Sequence, residues 1–214
     1  MIEPRSLSIC GETLYAPIHA CAFFDSRDDQ YEVILPFMKE GLDNNEKVVN
    51  ILEAACHHEH CRRLAHAGIG VEERSATSQL NILASEDTYL KGGSFTADKM
   101  LHLLEEALLE AKREGYESVR ACGEMVWALK SVPGTDQLIE YESRLNLLTP
   151  KHSCSLVCMY DVSRFSGRVL ADVLSTHQYV IMNRKVHKNP YYIEPHDFLP
   201  IYQLRNSSPL PAEV

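Results

Sequence analysis

Apolar and polar positions along this chain switch between two periods. Short apolar runs at 20–24, 48–52, 80–83, 119–122, 154–160 and 179–182 read as strands. The run at 154–160 is apolar on both faces except Ser155, as expected of a central parallel strand. Between these runs the spacing lengthens to that of helices. Ser26 and Asp29 have capping-box-like spacing, Val33, Ile34, Phe37 and Met38 form a helical stripe, and Gly41 reads as its end. Pro36 lies inside that stripe and predicts a kink. Residues 54–67 read as a helix closed by Gly68. Met100, Leu101, Leu104, Leu108 and Ala111 mark a longer one between Thr96 and Gly115. Helical spacing recurs at 136–148 and 167–174. Strand and helix therefore alternate. This predicts an α/β fold of three layers, an open and mostly parallel sheet with helices on both faces.

Composition supports one globular domain. The 214 residues are 45% apolar and 24% charged, enough to bury a substantial core. A formal net charge of -9, with no dense run of Lys and Arg, argues against direct binding of nucleic acid. No apolar run approaches the length of a membrane span, and the start carries no apolar signal core. A cytoplasmic location follows as the expectation. With it go reduced thiols for the seven cysteines, an odd number.

In open α/β sheets ligands bind beyond the carboxyl ends of the strands. Asp25, Glu124 and Asp161 fall at such ends, although each could instead cap a helix or pair with Arg120, Arg144 or Arg164. The turn Asp25-Ser26-Arg27-Asp28-Asp29 lacks the glycines and lysine of a phosphate loop and carries three carboxylates, so ATP hydrolysis is not expected. Arg27 could still hold one anion at the helix start. His19 and Cys21 share a strand face about 6–7 Å apart. They read either as core or as site residues. Phe23, Phe24, Trp127, Tyr160, Tyr191 and Tyr192 could line an apolar pocket or be plain core, and His177 could cap a short helix. Cys56-His57-His58-Glu59-His60-Cys61 is the most metal-like run, but each of its i, i+4 pairs offers two ligands where a structural zinc takes four. No metal and no cofactor are therefore expected. No Gly-x-Ser-x-Gly or His-Glu-x-x-His occurs.

Several stretches, in order, resemble the MEDS domain, the methanogen/methylotroph DcmR sensory domain. They are His19 to Phe24, Pro36 to Leu42, Gly123-Glu124-Met125 with Trp127, Tyr141-Glu142, Met159-Tyr160-Asp161, Thr176-His177 and Asn189-Pro190-Tyr191. The resemblance implies a degenerate RecA/KaiC-like fold without an intact Walker A loop, and a role in sensing small molecules of the hydrocarbon-derivative class. It divides the chain into an N-terminal extension (1–14), a sensory domain (15–202) and a tail or linker (203–214).

The expectation is a non-catalytic small-molecule sensor in bacterial or archaeal signalling or transcriptional regulation. It would act through a regulatory partner protein of kinase, transcription or anti-sigma type, with homodimerisation open. The candidate ligand-binding residues are His19, Cys21, Phe24, Asp25, Glu124, Trp127, Tyr160, Asp161, His177 and Tyr191. A divergent nucleotide hydrolase using Glu124 and Asp161 to hold magnesium, and a module that binds only protein, are the alternatives.

Overall fold

A computed structural model describes residues 5–207. The chain opens with a hairpin of β1 (Ser6–Ile9) and β2 (Glu12–Tyr15). There follow β3 (His19–Phe24), α1 (Arg27–Asp43), β4 (Lys47–Leu52), α2 (His57–His66), α3 (Val71–Ala76) and β5 (Leu80–Ala84). Next come α4 (Ala97–Arg113), β6 (Val119–Glu124), α5 (Leu138–Leu148), β7 (Cys154–Asp161) and α6 (Gly167–Thr176). The described chain closes with β8 (Tyr179–Met182), β9 (Lys185–Lys188) and α7 (Pro195–Ser207). Seven strands form one sheet in the order β5-β4-β6-β7-β3-β8-β9, parallel except for β9.

β3 and β7 pair at the sheet's centre, with Cys21 opposite Cys158 and Phe23 opposite Tyr160. Both are buried on both faces, which explains their unbroken apolar runs. Ala20, Ala22, Phe24, Val157 and Met159 face α1 and the hairpin, while Cys21, Phe23, Cys158 and Tyr160 face α5 and α6. A buried helix layer thus covers each side, and α5 lies between α4 and the α6–α7 pair.

The caps act as their residue types predict. Ser26 Oγ accepts from the Asp29 backbone N–H at 3.2 Å, and Thr96 Oγ1 from that of Lys99 at 3.4 Å. Gly41 corrects the expectation of a helix end, since α1 runs on to Asp43 with Pro36 inside it. Glycine is needed there for another reason: a Cβ at 41 would stand 2.7 Å from Arg120 Cδ. The hairpin, α3, β9 and α7 carry weak periodic signals and were not anticipated. Residues 203–207, expected as tail, continue α7; residues 208–214 lie outside the described residues. Residues 6–14, expected as part of an extension, place Leu7 and Ile9 in the core against α1.

Arg120 is the buried hub on the α1 side, with 1% of its side chain exposed. Its guanidinium donates to Glu46, to Glu40 Oε2 at 2.6 Å and to the Phe37 carbonyl at 2.9 Å. Glu40 in turn accepts from the Ser8 backbone N–H at 2.8 Å, which ties the hairpin to the same charge. Arg120→Met should cost about 3–5 kcal/mol, because Glu46 would be left buried without its cation. Equilibrium urea unfolding checks this, and a loss under about 1 kcal/mol would contradict the assignment.

Candidate functional site

The helices that follow β3 and β7, α1 and α6, lie on opposite faces of the sheet. Adjacent strands whose helices diverge in this way leave a crevice at their carboxyl ends. A cleft of about 200 Å³ opens there, lined by Phe24, Asp25, Ser26, Arg27 and Gln30 from the first turn, Glu124 and Val126 beyond β6, and Met159, Tyr160, Asp161 and Arg164 at β7.

Glu124 is the polar centre of this cleft and is 4% exposed. Its Oε1 accepts from Arg27 and, at 3.0 Å, from Gln30 Nε2. Its Oε2 is buried and has no hydrogen-bond partner among the described residues. The pairing of Glu124 is therefore with Arg27, not with the arginines considered from sequence. Asp161 behaves as a turn former, accepting from the Ser163 backbone N–H at 2.9 Å and its hydroxyl at 2.6 Å.

A second polar group lies in the core on the α5 side. His19, Glu142, Cys158 and His177 are all buried, and one ligand atom from each lies within 4.8 Å of the others. Glu142 Oε2 is 3.3 Å from His19 Nε2, 3.4 Å from His177 Nε2 and 3.3 Å from Cys158 Sγ. Cys158 Sγ and His19 Nε2 are 3.5 Å apart. The surroundings set the ring tautomers. Asn146 Nδ2 donates to the Thr176 and Ser143 carbonyls at 2.8 and 3.1 Å, so its Oδ1 is the atom facing His19 Nδ1, at 3.2 Å, and Nδ1 must donate. His177 Nδ1 stands 2.8 Å from the Val173 carbonyl and must donate as well. Both rings therefore aim Nε2 at Glu142, as a bare lone pair when neutral and as an N–H donor when protonated, and Glu142 Oε1 accepts from the Tyr160 hydroxyl. Burial, then the neighbouring His177 ring, hold His19 below the ordinary histidine range. Burial, then the charge of Glu142, push the Cys158 thiol well above its usual value.

The profile described as "MEDS: MEthanogen/methylotroph, DcmR Sensory domain" matches residues 18–178, most of the chain. The chain belongs to the MEDS family. The transcriptional repressor DcmR of Methylorubrum extorquens (strain DSM 6343 / CIP 106787 / DM4) is 35% identical over 81 residues, 37% of this chain and 31% of the repressor. The chain thus matches under a third of that relative's length. Among solved structures, the KaiC-like protein PH0186 from Pyrococcus horikoshii OT3 superposes with a TM-score of 0.58 at 13% identity, over 80% of this chain and 74% of that one. That likeness shows a KaiC-like fold. Family membership and the DcmR relative give the chain a sensory, regulatory role. No helix among the described residues is long and apolar enough to cross a membrane.

Of the residues singled out from sequence, the MEDS fold brings Phe24, Asp25, Glu124, Tyr160 and Asp161 to the cleft. His19 and His177 belong to the buried cluster instead, and Cys21 lies in the core with its Sγ 3.7 Å from the Tyr179 carbonyl. Trp127 is fully buried, stacked on Tyr89 with ring centroids 4.6 Å apart. Tyr191 is 68% exposed and away from the cleft. Sequence reading missed Arg27 and Gln30 as partners of Glu124, and missed Glu142, Cys158 and Asn146 as a set. One signal was present: Glu142 and Asn146 are polar at i, i+4 on the apolar face of α5.

The metal-like run at 56–61 does not gather a ligand set among the described residues. Glu59 pairs with Arg62 and Arg63, Cys56 accepts from Arg27, and His60 Nδ1 meets the Tyr31 hydroxyl at 2.8 Å. Burial, then His57 and Arg27, lower His60 from 6.5 to about 4. The folded chain then binds fewer protons at His60 than the unfolded chain between those values, so stability is full above about pH 6.5 and falls as the pH drops toward 4. Urea unfolding at pH 7 and pH 5 should show the wild type losing about 2 kcal/mol more than His60→Gln. Equal losses would refute a neutral, buried His60.

Proposed function

We propose that the cleft at the carboxyl ends of β3, β6 and β7 takes a small organic molecule, and that this MEDS domain is a non-catalytic sensor. The unpartnered Oε2 of Glu124 carries the reading. A buried carboxylate oxygen without a donor is costly, and a ligand hydroxyl or amine would supply the missing hydrogen bond. Phe24, Val126, Met159 and Tyr160 provide apolar wall around it, the usual make-up of a small-molecule pocket. The favoured ligand is a compact alcohol- or amine-bearing molecule with an apolar body.

Catalysis has little support in this geometry. Arg27 occupies the carboxylate that a magnesium-dependent hydrolase would offer to its metal. The first turn presents Asp25 and Asp28 where a phosphate loop would present backbone amides. The sensor's output would pass to a regulatory protein, as the repressor relative suggests. The Arg27–Glu124 pair is the contact a ligand would alter, and a signal requires that the ligand prefer one arrangement of it.

Thermal unfolding across a panel of small alcohols, amines and nucleotides tests this. A ligand at 100 times its Kd should stabilise by about 2.7 kcal/mol and raise Tm by several degrees. Glu124→Gln should weaken binding of that ligand at least tenfold while keeping the wild-type circular dichroism. Stabilisation only by nucleotides, with magnesium-dependent hydrolysis lost in Glu124→Gln, would overturn the proposal.

A further inference from the structure

The buried cluster on the α5 side lies apart from Glu124 and gathers four groups of metal-ligand type. Two imidazole nitrogens, a carboxylate oxygen and a sulfur converge in a space closed to water. With both rings neutral, their one available donor is the Cys158 S–H, which is weak. His177 Nε2 has no hydrogen-bond partner among the described residues and is fully buried. Acceptors facing one another at this range repel unless a positive charge sits between them.

We infer that His19 Nε2, Glu142 Oε2, Cys158 Sγ and His177 Nε2 form a closed tetrahedral site for a divalent transition-metal ion of the zinc class. The spacing fits. With metal–nitrogen and metal–oxygen bonds near 2.0–2.1 Å and metal–sulfur near 2.3 Å, a tetrahedron places two N/O donors about 3.3 Å apart and an N/O donor about 3.5 Å from sulfur. Four of the six separations are 3.3, 3.4, 3.3 and 3.5 Å, and all six lie within 4.8 Å, so a small turn of the His177 ring would complete the tetrahedron. The donor set fits too. A thiolate and two imidazoles favour zinc over calcium or magnesium, which take oxygen. Charge closes as well: thiolate and carboxylate carry the two negative charges that a divalent cation cancels, leaving a neutral group in the core. On binding, the metal–sulfur bond forms as the Cys158 proton leaves to solvent.

The next layer is already in place. His19 Nδ1 donates to Asn146, His177 Nδ1 to the Val173 carbonyl, and Tyr160 to the second oxygen of Glu142. Such partners fix the tautomer and aim of metal ligands. All four positions are protein groups, which marks a structural ion rather than a hydrolytic one. It would fasten β3, α5, β7 and the end of α6 together. This replaces the metal-free expectation drawn from the run at 56–61, whose neighbours in sequence never assemble four donors.

The full chain, expressed in zinc-supplemented medium and purified without chelator, should hold about one zinc per chain by elemental analysis. Growth with cobalt(II) instead should give intense visible bands of a tetrahedral ion and a near-ultraviolet thiolate charge-transfer band. Cys158→Ser should abolish that band and lower the metal content at least fivefold, while His57→Ala with Cys61→Ala should keep both. A folded wild type with no bound metal and no cobalt spectrum would overturn the inference. So would metal retained undiminished in Cys158→Ser, or lost in the 57/61 double variant. Should Cys158→Ser fail to fold, the thiolate band of the wild-type cobalt protein decides the matter alone.

Discussion

Glu142 is a carboxylate with no exposed surface, set in the layer between α5 and the two central strands. A lone buried charge there would cost several kcal/mol, so its neighbours cannot be arbitrary. Tyr160 on β7, Cys158 one turn of the pleat away, His19 on β3 and His177 at the end of α6 all present a polar atom to it. Each of those residues occupies a position that would otherwise be filled by an apolar side chain. The requirement therefore reaches well beyond one residue: it sets the register of β3 against β7, the rotation of α5 and the place where α6 must stop. The proposed ion at the centre of the group would account for all of these at once, since it would make ligands of all four.

The opposite face of the sheet is organised by a cation instead. Arg120 gathers Glu46, Glu40 and the Phe37 carbonyl beneath α1, and Gly41 is small because the guanidinium stem lies against it. The two faces thus solve the same problem with opposite signs. Between them the strand ends remain free to carry function. The KaiC-like fold places a crevice there, and this chain fills the first turn with Asp25, Ser26 and Arg27, so that side-chain charge stands where phosphate-binding relatives of such folds use backbone amides. Arg27 then turns inward to Glu124, an ion pair in the cleft wall that leaves one carboxylate oxygen without a partner among the described residues.

Much of this architecture was legible from period alone. The central strands are unbroken apolar runs because both faces are covered, and α4 announces itself by its stripe and its Thr96 cap. The rule about strand ends gave Asp25, Glu124 and Asp161, which line the cleft together with Phe24 and Tyr160, two of the rings read as either pocket or core. Gly41 was misread because a glycine near a helix end looks the same whether it terminates the helix or admits a neighbour from a distant strand. The buried cluster was out of reach for a related reason. Its members lie at 19, 142, 158 and 177, and only strand register and helix rotation bring them together. Local spacing pointed instead to 56–61, where ligand-type residues are crowded in sequence and turned apart by the helix.

Tyr160 joins the two layers of the molecule. It lines the cleft, and its hydroxyl donates to Glu142 in the core. A ring fixed at both ends cannot follow a ligand freely: any shift that improves its contact in the cleft must lengthen or bend the hydrogen bond beneath it. A rigid centre at Glu142 therefore makes the Tyr160 wall stiff, and leaves adjustment to the opposite wall, where Arg27 and Gln30 hold Glu124 through side chains on the first turns of α1. Preorganisation on one side and freedom on the other suit a sensor. On the proposed reading, a ligand would act on the start of α1 rather than on the core, and α1 is the helix that carries the hairpin on its far end through Glu40 and Ser8. A change at the cleft has a continuous mechanical route to the surface along that helix, without disturbing the group that holds the sheet together.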